Sequence, residues 1–158
     1  MKKIFCVLLV LCLMPFAVNA KVEVYFSPSN KCEKGIVEAI DDADTEIEAA
    51  VYAINNDNIV EALKKAHDRG VKIKILTDRL QAANKSSKVR ELYDYGINIR
   101  VHSKHKIEHN KFAVFDNESV VTGSYNWTNP ATNKNSENCV FFIRDKDAVE
   151  EYDNRFKY

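Results

Sequence analysis

What this 158-residue sequence lacks narrows its class at once. No cysteine–histidine spacing resembles a zinc site, so no metal-ligated module organises the chain. No segment repeats and no low-complexity linker interrupts it, which excludes a solenoid or a string of domains. The length suffices for one compact domain and falls short of two. Past residue 20 there is no amphipathic stretch of the kind that lies on a bilayer. Net charge is missing too, because 23 basic side chains offset 23 acidic ones.

The start of the chain is of a different kind. Lys2-Lys3 precede an apolar run from Ile4 to Val18, interrupted only by Pro15, and Val18-Asn19-Ala20 has the small residues of a cleavage site. The pattern predicts a secretory signal peptide over 1–20, cut after Ala20, with the protein secreted to the periplasm or beyond. An uncleaved anchor is the competing reading, but the run is short for a spanning helix of about 20 residues. Lipidation at Cys12 is disfavoured by Leu11, where a small residue is wanted. Cys6 and Cys12 leave with the leader, so Cys32 and Cys139 remain. In an exported chain they invite a disulfide, while Cys139 also reads as a small buried hydrophobe.

The neutral total hides an uneven distribution. Residues 21–68 carry net −6 and residues 112–158 net −3, whereas 69–111 hold 11 basic and 4 acidic side chains, net +7. Without its leader the chain is net −2. A basic middle third attracts polyanions or anionic headgroups; ordinary solvated charge is the plain alternative.

Apolar periodicity then places the elements. Val22 to Phe26 alternates as a strand ending at Ser27-Pro28, and a loop containing Cys32 leads into a short helix over 35–43. Residues 46–54 read as a central strand, and Asn55-Asn56-Asp57 cap a helix whose stripe is Ile59, Val60, Leu63 and Ala66, stopped by Gly70. A strand at 71–77, a polar loop at 81–87, a helix at 88–95 and a strand at 97–101 follow. This alternation predicts parallel pairing. Next come strands at 112–115, 119–122 and 139–143 with no helix between them, the first two joined by a tight Asp116-Asn117-Glu118 turn. That part is antiparallel, and a helix over 147–156 closes the chain. The expected fold is one α/β domain over 21–158, a mixed, largely parallel sheet flanked by helices on both faces.

Chemistry concentrates in His109-Asn110-Lys111-Phe112-Ala113-Val114-Phe115-Asp116 and in Gly123-Ser124-Tyr125-Asn126. Strand side chains alternate, so His109 and Lys111 point the same way. A nucleophile or proton carrier then sits beside a permanent cation, the pair that a phosphate ester needs. His109-x-Lys111-x-x-x-x-Asp116, six residues, then Gly123-Ser124-x-Asn126 resembles the HKD signature of the phospholipase D superfamily. Lys134-Asn135-Ser136-Glu137-Asn138 resembles the acidic element that follows it in single-motif members. The likeness runs from about Val22 to the last helix. It is similar to the short exported phospholipases D of intracellular bacteria and, next, to the small nonspecific endonuclease of that superfamily.

The resemblance implies roles. His109 attacks phosphorus to form a phosphohistidine, and a second His109 protonates the leaving oxygen and then activates water. Lys111 binds the phosphoryl oxygens; Ser124 and Asn126 donate hydrogen bonds to them, with Gly123 permitting close backbone approach. Glu137 accepts a hydrogen bond from a histidine ring nitrogen. Asp116, of opposite parity to His109, reads as a structural salt-bridge residue. No metal or other cofactor is implied, and activity is expected to persist in chelator. His67, His102 and His105 do not carry the motif, so the second His109 implies a homodimer with its site on the two-fold axis. Taken singly, the same residues have plainer readings: a loop histidine, a turn at Asn126 to Pro130, a surface acid at Glu137.

Two substrates fit such a site. One reading is a phospholipase D that hydrolyses the headgroup ester of a phospholipid such as phosphatidylcholine, with peripheral membrane contact and no transmembrane segment in the mature chain. The other is a metal-independent endonuclease, with Arg79, Lys85, Lys88, Arg90, Arg100, Lys104 and Lys106 on the phosphates of DNA or RNA. An idle binding module is a third reading, disfavoured by the intact motif.

Overall fold

The computed structural model describes residues 19–157. The expected leader therefore lies outside the described residues, apart from Asn19 and Ala20. Among the described residues no helix is long and apolar enough to cross a membrane.

Strands β1 (Lys21–Ser27), β2 (Glu46–Val51), β3 (Lys72–Thr77), β4 (Asn98–Val101), β5 (Lys111–Phe115), β6 (Ser119–Gly123) and β7 (Glu137–Ile143) form one sheet, in the order β1-β7-β6-β5-β2-β3-β4. The expected mixed sheet is present, with β2 central between β5 and β3. The expectation that it is largely parallel is corrected. Only β2–β3 and β3–β4 are parallel, and the other four pairings are antiparallel. The cause is β1, which precedes a helix but does not return beside β2. It runs to the far edge and pairs with β7, Val24 opposite Val140.

Helices cover both faces. On one, α1 (Lys31–Asp42), α2 (Asp57–Asp68) and α4 (Val89–Asp94) bury Ile36, Ile40, Leu63 and Leu92 against Ile47, Ile75 and Phe115. On the other, α6 (Lys146–Lys157) packs Val149 onto Ala50, Phe112 and Val114. Strand β5 is thus buried on both sides, which is why its sequence is an unbroken apolar run after Lys111. Asn56 caps α2 by accepting the Ile59 N–H at 3.0 Å.

Three local readings change. Helix α1 begins at Lys31, four residues before the expected start, because Cys32, Ile36 and Ile40 share its inward face at a spacing of four. Cys32 is therefore helical rather than in a loop, and it is disulfide-bonded to Cys139 on β7 with the Cα atoms 5.9 Å apart. Residues Asn129–Asn133 form the short helix α5 where a turn was the plain reading; the Thr128 hydroxyl caps it and Pro130 sits in its first turn. The loop after β3 contains α3 (Arg79–Ala82), capped by the Asp78 carboxylate. The expected tight turn between β5 and β6 is found, with Asp116 and Asn117 at φ 50° and 56°.

The strand directions place chemistry on one edge. β1, β2, β3, β4 and β6 end there, and β5 and β7 begin there. Ser27, Tyr52, Asp78, His102, Lys111, Ser124 and Glu137 therefore gather along that edge, although they span more than a hundred residues of chain. Open α/β sheets hold their ligands at the carboxyl ends of strands.

Candidate active site

His109 lies just before β5 and is exposed, whereas Lys111, the first residue of the strand, is buried. The Lys111 Nζ donates to the His109 carbonyl oxygen. Both side chains meet one ring. The Tyr52 ring lies 4.7 Å from the His109 ring at 62°, an edge-to-face contact, and its centroid is 4.9 Å from the Lys111 Nζ. The parity argument had set His109 and Lys111 on a common side, and Tyr52 is that side. Burial pushes the Lys111 ammonium below the ordinary lysine range, against the opposing pull of Glu137 and Glu108.

The β6–β7 end is a hydrogen-bonded knot. The Ser124 hydroxyl donates to Glu137 Oε2 at 2.6 Å and accepts the Asn138 N–H at 3.1 Å. The Asn135 amide donates to Glu137 Oε1 at 3.0 Å, and the Glu137 N–H donates to the Ser27 hydroxyl at 3.1 Å. Within one chain, then, Glu137 accepts from Ser124 and Asn135. The Asn138 carbonyl accepts the N–H groups of Ser124 and Tyr125, and it comes so near that a Cβ on Gly123 would lie 2.3 Å from it. Gly123, at φ +142°, is thus needed for the approach of β7 itself. Asn126 Oδ1 is buried and has no hydrogen-bond partner among the described residues.

Asp116 stands at the opposite end of β5 from His109. It makes no salt bridge among the described residues, which corrects that reading. Its carboxylate instead accepts the N–H groups of Asp44, Thr45 and Glu46 and the Thr45 hydroxyl, all within 2.7–2.9 Å. Burial alone would raise its pKa, but these donors outweigh that and leave it below the usual carboxylate range.

Sequence reasoning missed the support under the His109 loop. The buried Asp78 accepts the Glu108 N–H at 3.1 Å, beside the N–H groups of Leu80 and Gln81. The buried Glu108 accepts the Asn110 N–H and amide, and lies 3.6 Å from His102 Nδ1. Asp78, at a strand end and ahead of a helix, carried the signal of a cap; Glu108 carried none. Tyr52 lies in the stretch 46–54 expected as a central strand, and its place beside His109 becomes visible only when β5 pairs with β2. In the basic band, Lys88 is paired with Asp57 and Glu91, and Arg90 with Asp94, which removes two of the expected phosphate contacts from easy use.

Comparison with known proteins places the chain among relatives. The family model described as "Cardiolipin synthase, PLD-like domain" matches residues 36–158. A phospholipase D of Rickettsia conorii is 38% identical over 134 residues, covering 85% of this chain and 66% of its own length. A mitochondrial cardiolipin hydrolase of Xenopus tropicalis is 32% identical over 115 residues, covering 73% of this chain and 54% of its own. The crystal structure of Nuc, a phospholipase D family member from Salmonella typhimurium, superposes with a TM-score of 0.83 at 32% identity, covering 88% of this chain and 93% of that one. The chain spans about two thirds of the length of the Rickettsia phospholipases D it matches.

Proposed function

This chain belongs to the phospholipase D superfamily, and on that footing we propose that it is an exported phosphodiesterase that hydrolyses the headgroup ester of phospholipids, working as a homodimer. The observation that carries the reading is an exposed His109 and a buried Lys111 set on one aromatic ring at the sheet edge, next to the strand ends that bear Ser124 and Glu137.

The chemistry balances with two imidazoles. The neutral ring of one His109 attacks phosphorus while the P–O bond to the headgroup alcohol breaks, and the protonated His109 of a second copy gives its proton to that alcohol. Water then attacks the phosphohistidine, returns a proton to the second imidazole, and releases phosphatidic acid and a free His109. Lys111 neutralises the non-bridging oxygens throughout, and its burial strengthens that interaction by excluding water. Asn126 Oδ1, buried and unpaired among the described residues, can accept from a donor such as the imidazolium or a water, while its amide N–H groups are the ones able to donate to phosphoryl oxygens. Glu137 orients Ser124 within the chain and accepts from an imidazole across the two-fold axis.

The second imidazole is assigned to another copy because His67, His102 and His105 do not carry the motif; His67 packs against Tyr95 and His102 stacks on His105. Export is supported by the leader-like start of the sequence and by the Cys32–Cys139 disulfide, a bond that persists in oxidising compartments. The named phospholipases D among the relatives favour a lipid ester. Cleavage of nucleic acid is the second reading, favoured by the net +7 of residues 69–111 and by the exposed Arg79 and Arg100.

The test uses residues 21–158 in chelator, with phosphatidylcholine vesicles and with plasmid DNA, beside a His109→Ala control. Release of choline that vanishes in the control supports the lipid reading. Nicking of plasmid alone, falling steeply with salt, replaces it with the second reading. Full activity in the control on both substrates ends both.

A further inference from the structure

Tyr52 has no place in the motif, yet it touches both of the motif's leading residues. We infer that Tyr52 is a positioning residue, whose ring edge-to-face contact holds the His109 imidazole and whose π-face holds the Lys111 ammonium. The inference rests on the phosphodiesterase reading for its kinetic arm only.

Tyr52 is itself held by two backbone hydrogen bonds and one at the tip of its ring. The Tyr52 N–H donates to the Asn110 carbonyl at 3.0 Å, which ties it to the residue between His109 and Lys111. Its carbonyl accepts the Thr77 hydroxyl at 3.3 Å, and its own hydroxyl accepts from the Gln81 amide at 2.9 Å. The anchor points come from β3, from α3 and from the residue before β5, so the Tyr52 backbone is tied to the His109 loop while the ring tip is tied to α3.

What it holds would otherwise be loose. His109 is exposed, and an exposed histidine ring turns over several rotamers. A ring centroid at 4.7 Å and a 62° interplanar angle match the edge-to-face geometry that aromatic quadrupoles prefer. Lys111 has the reverse problem: burial strips water from its ammonium, and among the described residues the His109 carbonyl is its hydrogen-bond acceptor. The negative face of Tyr52 at 4.9 Å adds an attraction that carries no net charge, which leaves the ammonium's charge available for phosphate. One side chain thus sets the spacing between nucleophile and cation. A filler residue would satisfy the burial of Lys111 equally well with any apolar group, and this is where the two accounts part.

The experiment compares Tyr52→Phe, which keeps the ring and drops the hydroxyl, with Tyr52→Leu, which keeps apolar bulk and drops the ring. A soluble chromogenic phosphate diester reads the chemistry without asking whether lipid or nucleic acid is preferred. Tyr52→Leu is expected to lower kcat about 30- to 100-fold with KM changed less than about threefold. Tyr52→Phe is expected to restore kcat to within about threefold of wild type. A second measurement does not depend on the Tyr52 variants. In the histidine-labelled wild-type protein, the His109 ring protons, assigned by their loss in His109→Gln, should be displaced from free-imidazole positions by the Tyr52 ring current. Wild-type kcat in Tyr52→Leu, equal loss in both variants, or unshifted His109 protons would overturn the inference. Should the wild type cleave no diester at all, the phosphodiesterase reading falls, and the ring-current shift still decides whether Tyr52 holds His109.

Discussion

Strand β5 ends in two regions built on opposite principles. At its far end, the Asp116 carboxylate is saturated by three backbone N–H groups and a hydroxyl, and the segment before β2 is pinned to it. At its near end, the imidazole is exposed, the ammonium is buried, and a neighbouring amide oxygen is unpaired. Four residues separate Lys111 from Asp116, so the two stand at opposite ends of the same strand. The motif thus contains a fastening at Asp116 and, on the proposed function, a working end at His109 and Lys111. Functional sites elsewhere follow the same division, since groups poised for a ligand are not fully satisfied without it.

The sharpest way to break this comparison is to remove each end in turn. His109→Ala should reduce diester hydrolysis more than about 10³-fold. It should leave the urea midpoint nearly unmoved, because an exposed side chain with one ring contact contributes little to folding. A large loss of stability there would contradict the division. The next effect is at the fastening between α1 and β7. Replacing Cys32 and Cys139 together with serine opens a loop of 107 residues and should cost about 2–4 kcal/mol by denaturant titration. It should also weaken activity, because Cys139 follows Glu137 and Asn138 on the strand that holds Ser124. Asp116→Ala comes third, with an expected loss of about 2–3 kcal/mol and wild-type kcat per folded molecule. If it abolished activity at full stability, Asp116 would belong to the working end instead.

How far the sequence displayed this arrangement depends on the range of the interaction. The hairpin that carries Asp116 was legible because its turn residues lie side by side, and α2 because Asn56 and its apolar stripe are local. The mixed character of the sheet was legible too, while the majority of antiparallel pairs was not. Nothing between Val22 and Phe26 says that β1 will cross to β7 rather than pair with β2, because that choice is made by contacts more than a hundred residues away. The same limit hid the site's supports. His109, Lys111, Ser124 and Glu137 stood out as residue types in a spaced pattern, but Tyr52 and Glu108 are ordinary residues until pairing brings them to the edge. Asp116 was recognised as structural and given the wrong partner: opposite parity excluded it from the catalytic side, whereas only the fold shows that backbone N–H groups, rather than a cation, surround it.

The smallest effect, and the one that separates the two ends most cleanly, is the response to pH. The Asp116 carboxylate has a folded-state pKa below its unfolded value, so its stabilisation is fully present above the unfolded value of about 3.9 and is lost as pH falls through the folded one. Lys111 has the opposite sense. Its folded-state pKa is depressed by burial, so at neutral pH the charged ammonium costs stability. As pH rises from the folded value to the unfolded value of about 10.4, the folded state sheds its proton first and the protein gains stability. Activity moves the other way, since a neutral amine cannot hold the phosphoryl oxygens. Alkaline titration should therefore show diester hydrolysis falling below the ordinary lysine range while the wild type gains urea resistance relative to Lys111→Met, a variant with no such proton to lose. Equal pH dependence of stability in the two proteins would mean that Lys111 titrates as a solvated lysine, and the contrast between a satisfied and a strained end of β5 would fail at its cation.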